Sequence, residues 1–233
     1  TPKAMRDFVE SSLKRMKLER IDLVQLHCPP IEVYYRPEIF GTFQRLQDEG
    51  KIRSMGVSVE KVEEGMKAIE YENVTSIQII YNMFRQRPHE KLFELASDRD
   101  VGIIIRVPLA SGLLTGQYTK NTTFGKNDHR FFNREGAGFD KGETFSGIPY
   151  ETGLQAVNEL KELFPEYNNL APVALKWVLQ SSHVTTVIPG ASKVEQVQSN
   201  LKALDIPKIT KEQMQKIDEI YGRLIKKEVH QLW

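Results

Sequence analysis

The sequence has little of several features that define whole classes of protein. It has one cysteine, Cys28, so no disulfide forms within the chain and we expect a reducing compartment, the cytoplasm. No apolar run approaches the roughly 20 residues that cross a bilayer, and residues 1–5 carry no hydrophobic signal segment. The 32 Lys and Arg nearly balance the 31 Asp and Glu. This balance gives no reason to expect nucleic acid or an anionic membrane as a partner.

Two signatures of functional sites are also missing. No apolar run is followed by a G-x-G-x-x-G turn, which argues against a Rossmann-type dehydrogenase. The five histidines do not occur at metal-ligand spacing, so we predict no metal site. Cys28 adjoins His27, but nothing marks it as a nucleophile, and we expect an inert buried thiol.

Apolar runs alternate with helical patterns along the chain. The predicted strands are residues 21–27, 52–58, 74–80, 101–107 and 185–188. The predicted helices are residues 1–16, 38–49, 62–71, 88–98, 151–163, 171–181, 193–204 and 210–227. This alternation predicts a parallel sheet with right-handed crossovers. A closed (β/α)8 TIM barrel has eight strands, so about five of eight strand-helix units are present. The alternative is an open doubly wound sheet, which the missing glycine turn disfavours.

A polar stretch at residues 117–149 interrupts this alternation. Connections longer than about 15 residues are uncommon unless they are functional. We therefore predict a lid or a substrate loop at this place.

The residues at the predicted strand ends carry a resemblance, because a parallel barrel places its functional groups there. Residues 21–27, which end in His27, resemble the aldo-keto reductase strand that ends in the catalytic His. Residues 56–58, Gly-Val-Ser, match the Gly-x-Ser strand end of that family. Residues 108–116 resemble its pyrophosphate-binding loop, and residues 188–193, with Gln196 and Asn200, are similar to its adenosine-phosphate site. The match is collinear over nearly the whole chain, and residues 129–130 and 142–147 further resemble the bacterial general-stress-type members.

The resemblance implies a single aldo-keto reductase barrel domain over residues 1–233. It implies NADPH-dependent reduction of aldehydes or ketones to alcohols by hydride transfer. The family uses a Tyr as general acid, tuned by a Lys and an Asp, while a His orients the substrate carbonyl. Only the His is matched here, as His27, because the other three lie on the first three strand units. We therefore expect a barrel that lacks its N-terminal part and is inactive by itself. The alternative is a dinucleotide-binding, non-catalytic barrel, as in the potassium-channel β-subunit relatives.

The resemblance assigns roles to the polar residues at the strand ends, and each role has an alternative. His27 is the expected catalytic residue or, alternatively, a structural histidine. Ser58 would bind the nicotinamide carboxamide or cap the following helix; Val59 stands where the family has an Asn. Gln78 would bind the same carboxamide or a neighbouring strand end. Arg106 would stack on the nicotinamide, pair with a phosphate or form a salt bridge.

The remaining expected cofactor contacts lie in two loops, which carry Pro108, Leu109, Ser111 and Gly112, and Gly190, Ser192, Lys193, Gln196 and Asn200. The second loop precedes a helix, whose N-terminus suits a phosphate, although Ser192 has the alternative of a simple N-cap. Lys193 stands where the family binds the 2′-phosphate of NADP. Some members carry an Arg three positions further on, where this chain has Gln196. We therefore expect NADPH rather than NADH, with a small carbonyl compound as substrate; the sequence identifies neither that compound nor an oligomeric state.

Overall fold

The computed structural model describes all residues from Thr1 to Trp233. Five strands lie in one sheet in the order β1-β2-β3-β4-β5. They are β1 (Ile21–His27), β2 (Ile52–Ser58), β3 (Val74–Ile80), β4 (Gly102–Arg106) and β5 (Val184–Val187). The pairs β1–β2 and β2–β3 are parallel. All five predicted strands are confirmed, and only the bounds of β4 and β5 differ from the prediction, by one residue at each end.

Helices separate the strands, as the periodicity predicts. They are α1 (Pro2–Met16), α2 (Pro37–Asp48), α3 (Val62–Ala68), α4 (Leu92–Asp98), α5 (His129–Phe132), α6 (Tyr150–Leu163), α7 (Ala171–Leu179), α8 (Val194–Leu201), α9 (Lys211–Ile220) and α10 (Lys226–Val229). The last predicted helix is α9 and α10, joined by a π-helical turn. The predicted start of α4 is wrong, because residues 87–89 form a separate 3-10 turn. None of these helices has both the length and the apolar composition that crossing a membrane requires.

The first of two compact units comprises Thr1–Ile79 and Lys91–Ile104. Its core includes the apolar face of α2, where Ile39, Phe40, Phe43 and Leu46 are almost completely buried. The Phe40 ring stacks on Tyr71 with centroids 3.7 Å apart, and the Tyr71 hydroxyl donates to the Tyr34 carbonyl at 2.8 Å. This packing fixes α2 against the segments around Tyr34 and Tyr71.

The second unit comprises Ile80–Glu90 and Ile105–Trp233. Helix α7 lies in its core, because seven of its nine residues are buried. The Tyr81 and Trp177 rings stack at 4.8 Å. At the end of β4, Ile188 N donates to the Ile105 carbonyl at 2.9 Å. Strand β5 is thus attached to β4 within this unit.

The long polar stretch is ordered around a buried asparagine, Asn133. Its Oδ1 accepts from the backbone N–H groups of Gly138 and Phe139, both at 2.9 Å. Its Nδ2 donates to the Asp140 carbonyl and to Thr144 Oγ1, both at 3.2 Å. A buried amide with all these partners stabilises an irregular backbone that has no ladder of its own. Substituting it would leave four polar groups to find new partners.

At Gly56, strands β2 and β3 lie too close together to leave space for a side chain. A Cβ at this position would lie 2.1 Å from Ser76 Oγ and 2.6 Å from the Ser76 carbonyl oxygen. We expect Gly56→Ala to lower the free energy of unfolding by about 1–3 kcal/mol, because the backbone cannot move aside without breaking strand pairing. Urea unfolding followed by circular dichroism measures this. Gly125→Ala is the matched control, since a Cβ there meets nothing within 4 Å; equal effects of the two changes would contradict the interpretation.

Candidate functional site

Three of the predicted site residues lie side by side at the ends of parallel strands in the first unit. The strand register pairs His27 with Ser58, and Ser58 with Gln78. Ser58 is completely buried, and its hydroxyl lies 3.8 Å from Cys28 Sγ. His27 is exposed, and Cys28 is half-buried rather than buried as expected. The strand ends therefore present one exposed imidazole beside two less exposed polar groups.

Ser58 does not cap the helix that follows β2. Helix α3 begins after Lys61, and the Glu64 carboxylate accepts from the backbone N–H groups of Glu60 and Lys61, both at 3.0 Å. The free N–H groups at this helix start are thus satisfied by Glu64. The capping alternative for Ser58 is therefore wrong.

Gln78 has a partner that the sequence analysis did not identify. Its Nε2 donates to Gln25 Oε1 at 2.7 Å, and Gln25 Nε2 reaches Ser76 Oγ at 3.4 Å. The partner of Gln78 thus lies inside β1, which β2 separates from β3 in the sheet, and not at the end of a neighbouring strand. The signal was present in the sequence, because Gln25 is also a polar residue inside an apolar strand.

A cavity of about 990 Å³ lies within the second unit. Eight of the predicted cofactor residues line it: Pro108, Leu109, Ser111, Gly112, Gly190, Ser192, Gln196 and Asn200. They come from two segments about 80 residues apart in the sequence, which the fold brings to one opening. Tyr118, Arg130 and Glu143, which the sequence analysis did not select individually, also line the cavity.

The loop after β4 has an unusual backbone. Val107, Ala110 and Ser111 adopt left-handed conformations with φ of 50°, 47° and 55°. Such conformations cost of order 1–3 kcal/mol each for residues with a Cβ and persist where the surroundings hold them. The Ser111 hydroxyl provides one such support, because it donates to the Glu143 carbonyl and accepts from Phe145 N, both at 3.0 Å. Hydrogen bonds within the protein thus fix the expected pyrophosphate loop.

Gly112, in the same loop, leaves no room for a side chain. Its φ is 96°, and a Cβ there would lie 2.3 Å from the Tyr118 hydroxyl. The close approach places the phenol over the loop, where its oxygen lies 3.4 Å from the Ser111 carbonyl. Tyr118 therefore forms part of the wall of the cavity.

The opposite wall is the start of α8. Ser192 directs both its backbone N and its hydroxyl at Gln196 Oε1, at 2.6 and 3.2 Å. The N-cap residue is Lys193, not Ser192, and its side chain is exposed. Lys193 does not line the cavity, but it directly follows Ser192, which does. A flexible, exposed ammonium next to a helix N-terminus is suited to an anion at that edge.

Arg106 forms a buried ion pair at the end of β4. Only 6% of the residue is exposed, and its guanidinium donates to the Glu143 carboxylate. The salt bridge that the sequence analysis kept open for Arg106 is therefore present. Because Glu143 lines the cavity, this pair places a compensated charge at its edge.

Arg130, which lines the cavity, connects Asp128 and Tyr118. Its Nε and Nη2 donate to the Asp128 carboxylate at 2.9 and 2.5 Å, and its Nη1 donates to the Tyr118 hydroxyl at 2.5 Å. These hydrogen bonds lower the pKa of Asp128 to about 2, whereas burial raises the pKa of Tyr118. Arg130 also lies over the Phe124 ring, 4.8 Å from its centroid. At neutral pH the wall thus carries a fixed cation, its carboxylate partner and a neutral phenol.

The chain also matches a known protein family. The model of the aldo/keto reductase family matches residues 1–222. The chain belongs to this family. Its members are oxidoreductases that use nicotinamide cofactors, and the family and the α/β class expected from the sequence are confirmed.

Individual relatives match most of this chain. The NADH-specific methylglyoxal reductase of Escherichia coli is 28% identical over 88% of this chain and 61% of its own length. A putative voltage-gated potassium channel subunit beta of Schizosaccharomyces pombe is 29% identical over 91% and 62%. The structure of the glycerol dehydrogenase of Gluconobacter oxydans matches with a TM-score of 0.74 and 30% identity, over 96% of this chain and 65% of that one. The chain thus spans less than two thirds of the length of these relatives.

His129 provides a test of the loop by pH. Its Nδ1 lies 3.1 Å from Thr144 Oγ1, whose hydroxyl accepts from Asn133 Nδ2 and has its own proton to donate to a neutral imidazole. Burial lowers the pKa of His129 below its ordinary 6.5. A folded-state pKa below the unfolded value stabilises the fold above about pH 6.5, and this contribution is lost as the pH falls through the folded-state pKa.

We therefore expect His129→Gln to reduce the loss of stability between about pH 7.5 and about pH 5.5, because Gln accepts from Thr144 without titrating. Urea unfolding of the two proteins at both pH values measures this. Asp128 does not interfere, because its pKa of about 2 lies far below this window. Identical pH dependence of the two proteins would show that the titration of His129 does not contribute to the loss of stability.

Proposed function

We propose that the protein is an NADPH-dependent oxidoreductase that reduces aldehydes or ketones to alcohols, and that residues 1–233 supply most of its cofactor site. The cavity in the second unit carries this proposal. Its volume of about 990 Å³ suits a large ligand, and eight residues matched to the family's cofactor loops line it. Its two walls combine a preformed loop with a helix start, the combination that suits a dinucleotide phosphate.

The roles of the residues follow from this proposal. NADPH, when bound, supplies the hydride. The chain positions the cofactor and polarises the substrate carbonyl. Pro108, Leu109, Ser111 and Gly112 would hold the pyrophosphate, and Gly190, Ser192, Gln196 and Asn200 the adenosine phosphate. Ser58 and Gln78 would hold the carboxamide, and Arg106 would border the nicotinamide through its pair with Glu143. His27, exposed at the strand end, would donate an N–H to the substrate carbonyl.

NADPH is proposed over NADH because of Lys193. Its exposed ammonium directly follows Ser192 at the wall of the cavity, at the start of α8, and would give a 2′-phosphate a cationic partner there. An NADH-specific relative exists, so this part of the proposal depends on one residue.

We further propose that the five strands are the last five units of a single eight-stranded barrel domain. Exposed apolar side chains support this in each unit. In the first unit Phe8, Met16, Leu18 and Leu23 are 36–66% exposed. In the second unit Ile188, Val194, Val197 and Leu201 are 48–68% exposed, and no residue of α8 is buried. Exposed apolar side chains on a strand and an adjacent helix are typical of surfaces that further elements cover.

A non-catalytic dinucleotide-binding barrel is the second candidate. Among the family's four catalytic residues the chain is matched only at His27, and one relative is named as a potassium channel subunit. In both candidates the ligand is a small molecule rather than a nucleic acid or a membrane surface, and the cytoplasm is the proposed location. The candidates differ in whether a proton donor completes the site.

The first test concerns binding without turnover. We expect the folded 233-residue chain to bind NADPH, because most of the matched contacts lie in its second unit, and not to oxidise it with methylglyoxal or a nitrobenzaldehyde. Calorimetric titration and NADPH absorbance measure the two properties. No binding at millimolar NADPH by folded protein would refute the cofactor site. Carbonyl reduction would show that the chain contains its own proton donor.

The second test concerns Lys193. We expect Lys193→Met to weaken NADPH binding roughly ten- to hundredfold and to leave NADH almost unchanged, because one charge-assisted phosphate contact contributes about 1.5–3 kcal/mol. Lys202→Met, at the other end of α8, is the matched control, since Lys202 is also exposed. Equal losses for both cofactors would show that Lys193 acts on the fold or on the shared diphosphate.

A further inference from the structure

Charged side chains and glycines surround Trp233. It is 6% exposed, and the Arg85 guanidinium lies 4.1 Å from the centroid of its ring. Its Nε1 donates to Asp140 Oδ1 at 2.9 Å, and its carbonyl accepts from Arg87 Nη1 at 2.7 Å. The indole thus has a cation on its face, an acceptor for its N–H and a donor for its backbone.

The ring also lies directly on residues 140–147. A Cβ on Gly142 would lie 2.9 Å from the indole, and a Cβ on Gly147 would lie 2.4 Å from it. Asp140 Oδ1, which takes the indole N–H, also accepts from Gly142 N at 2.7 Å and caps the 3-10 turn Lys141–Glu143. Trp233 therefore holds this segment at three points, on both sides of Glu143.

Glu143 connects this segment to the cavity. Its carboxylate receives the Arg106 guanidinium, and its carbonyl receives the Ser111 hydroxyl at 3.0 Å. Residues 145 and 146 follow in left-handed conformations, with φ of 52° and 58°. A segment in such a conformation relaxes when a support is removed, and the first group to move at the cavity would be the Glu143 carboxylate.

We propose that Trp233 is a positioning residue for the nicotinamide end of the cofactor cavity, acting through residues 140–147 on the Glu143–Arg106 pair. The proposal rests on the proposed function, which places NADPH in this cavity. The proposal distinguishes the two ends of the cavity, which are the start of α8 and the Glu143 end. The start of α8 has no contact with Trp233 among the hydrogen bonds and ring contacts of the structure, whereas the Glu143 end depends on it.

The test compares two ligands by calorimetric titration of the 233-residue chain: NADPH, which would fill the whole cavity, and 2′,5′-ADP, which would fill only the α8 end. We expect Trp233→Ala to weaken NADPH about tenfold and 2′,5′-ADP less than about twofold, because the lost support lies at one end only. A variant that merely unfolds or loosens the protein would weaken both ligands alike. Equal losses, or no loss, would overturn the proposal.

A conservative variant of Trp233 and a double variant test whether Trp233 acts through Glu143. Trp233→Phe keeps a ring over Arg85 and the glycines and loses only the N–H to Asp140, so we expect a smaller, equally selective loss; this variant carries the test if Trp233→Ala does not fold. Glu143→Gln should weaken NADPH selectively, and the double variant with Trp233→Ala should be no weaker than the stronger single variant. Additive losses would show that Trp233 does not act through Glu143.

Leu232→Ala is the matched control, because Leu232 adjoins Trp233 in the chain and is 47% exposed. We expect it to bind both ligands like the unchanged protein, and a loss like that of Trp233→Ala would overturn the proposal. Titration of the unchanged protein distinguishes failure of the proposed function from failure of the role of Trp233. If it binds neither ligand, the proposed function itself fails; if it binds both and Trp233→Ala keeps the ratio of their affinities, only the role of Trp233 fails.

Discussion

The hydroxyl of Ser111 joins two irregular segments that neither helix nor strand stabilises. It donates to one carbonyl and accepts one N–H of the segment around Glu143, while its own residue has a left-handed backbone. Asn82, which is completely buried, makes the second connection, because its Nδ2 donates to the Val107 carbonyl and to Ser146 Oγ, both at 2.9 Å. Side-chain hydrogen bonds thus replace the missing backbone ladder on the Ser111–Glu143 side of the cavity. These polar contacts connect the loop after β4 to the segment around Glu143.

The two walls of the cavity differ in how firmly they are held. The wall at Ser111 and Glu143 has part-buried hydrogen bonds, an ion pair and the indole of Trp233 behind it. The wall at α8 has no buried residue, and Ser192 and Gln196 there bond mainly to each other. Less well-packed elements open at lower free energy than packed ones. We therefore expect the α8 wall to open at lower free energy than the wall at Ser111 and Glu143.

The sequence predicted what depends on local pattern. Apolar runs placed β1, β2 and β3 with their observed bounds, because a buried strand carries its signal within itself. Collinear motifs placed eight residues that the structure brings into one cavity. The sequence analysis missed partners that only the fold brings together. Gln25 meets Gln78 from 53 positions away, and Arg106 meets Glu143 from 37. Arg87 reaches Trp233 across 146 positions, and no spacing rule links such residues before the strand register and loop paths are known.

The distribution of the two tryptophans has a practical consequence. Trp177 and Trp233 both lie in the second compact unit, and the first unit has tyrosines but no tryptophan. Indole emission therefore reports on one unit alone, whereas backbone circular dichroism reports on both. Since Trp177 is buried against Tyr81 and Trp233 lies under a guanidinium, the two indoles also differ in their surroundings. Tryptophan fluorescence thus follows the second unit without any added dye.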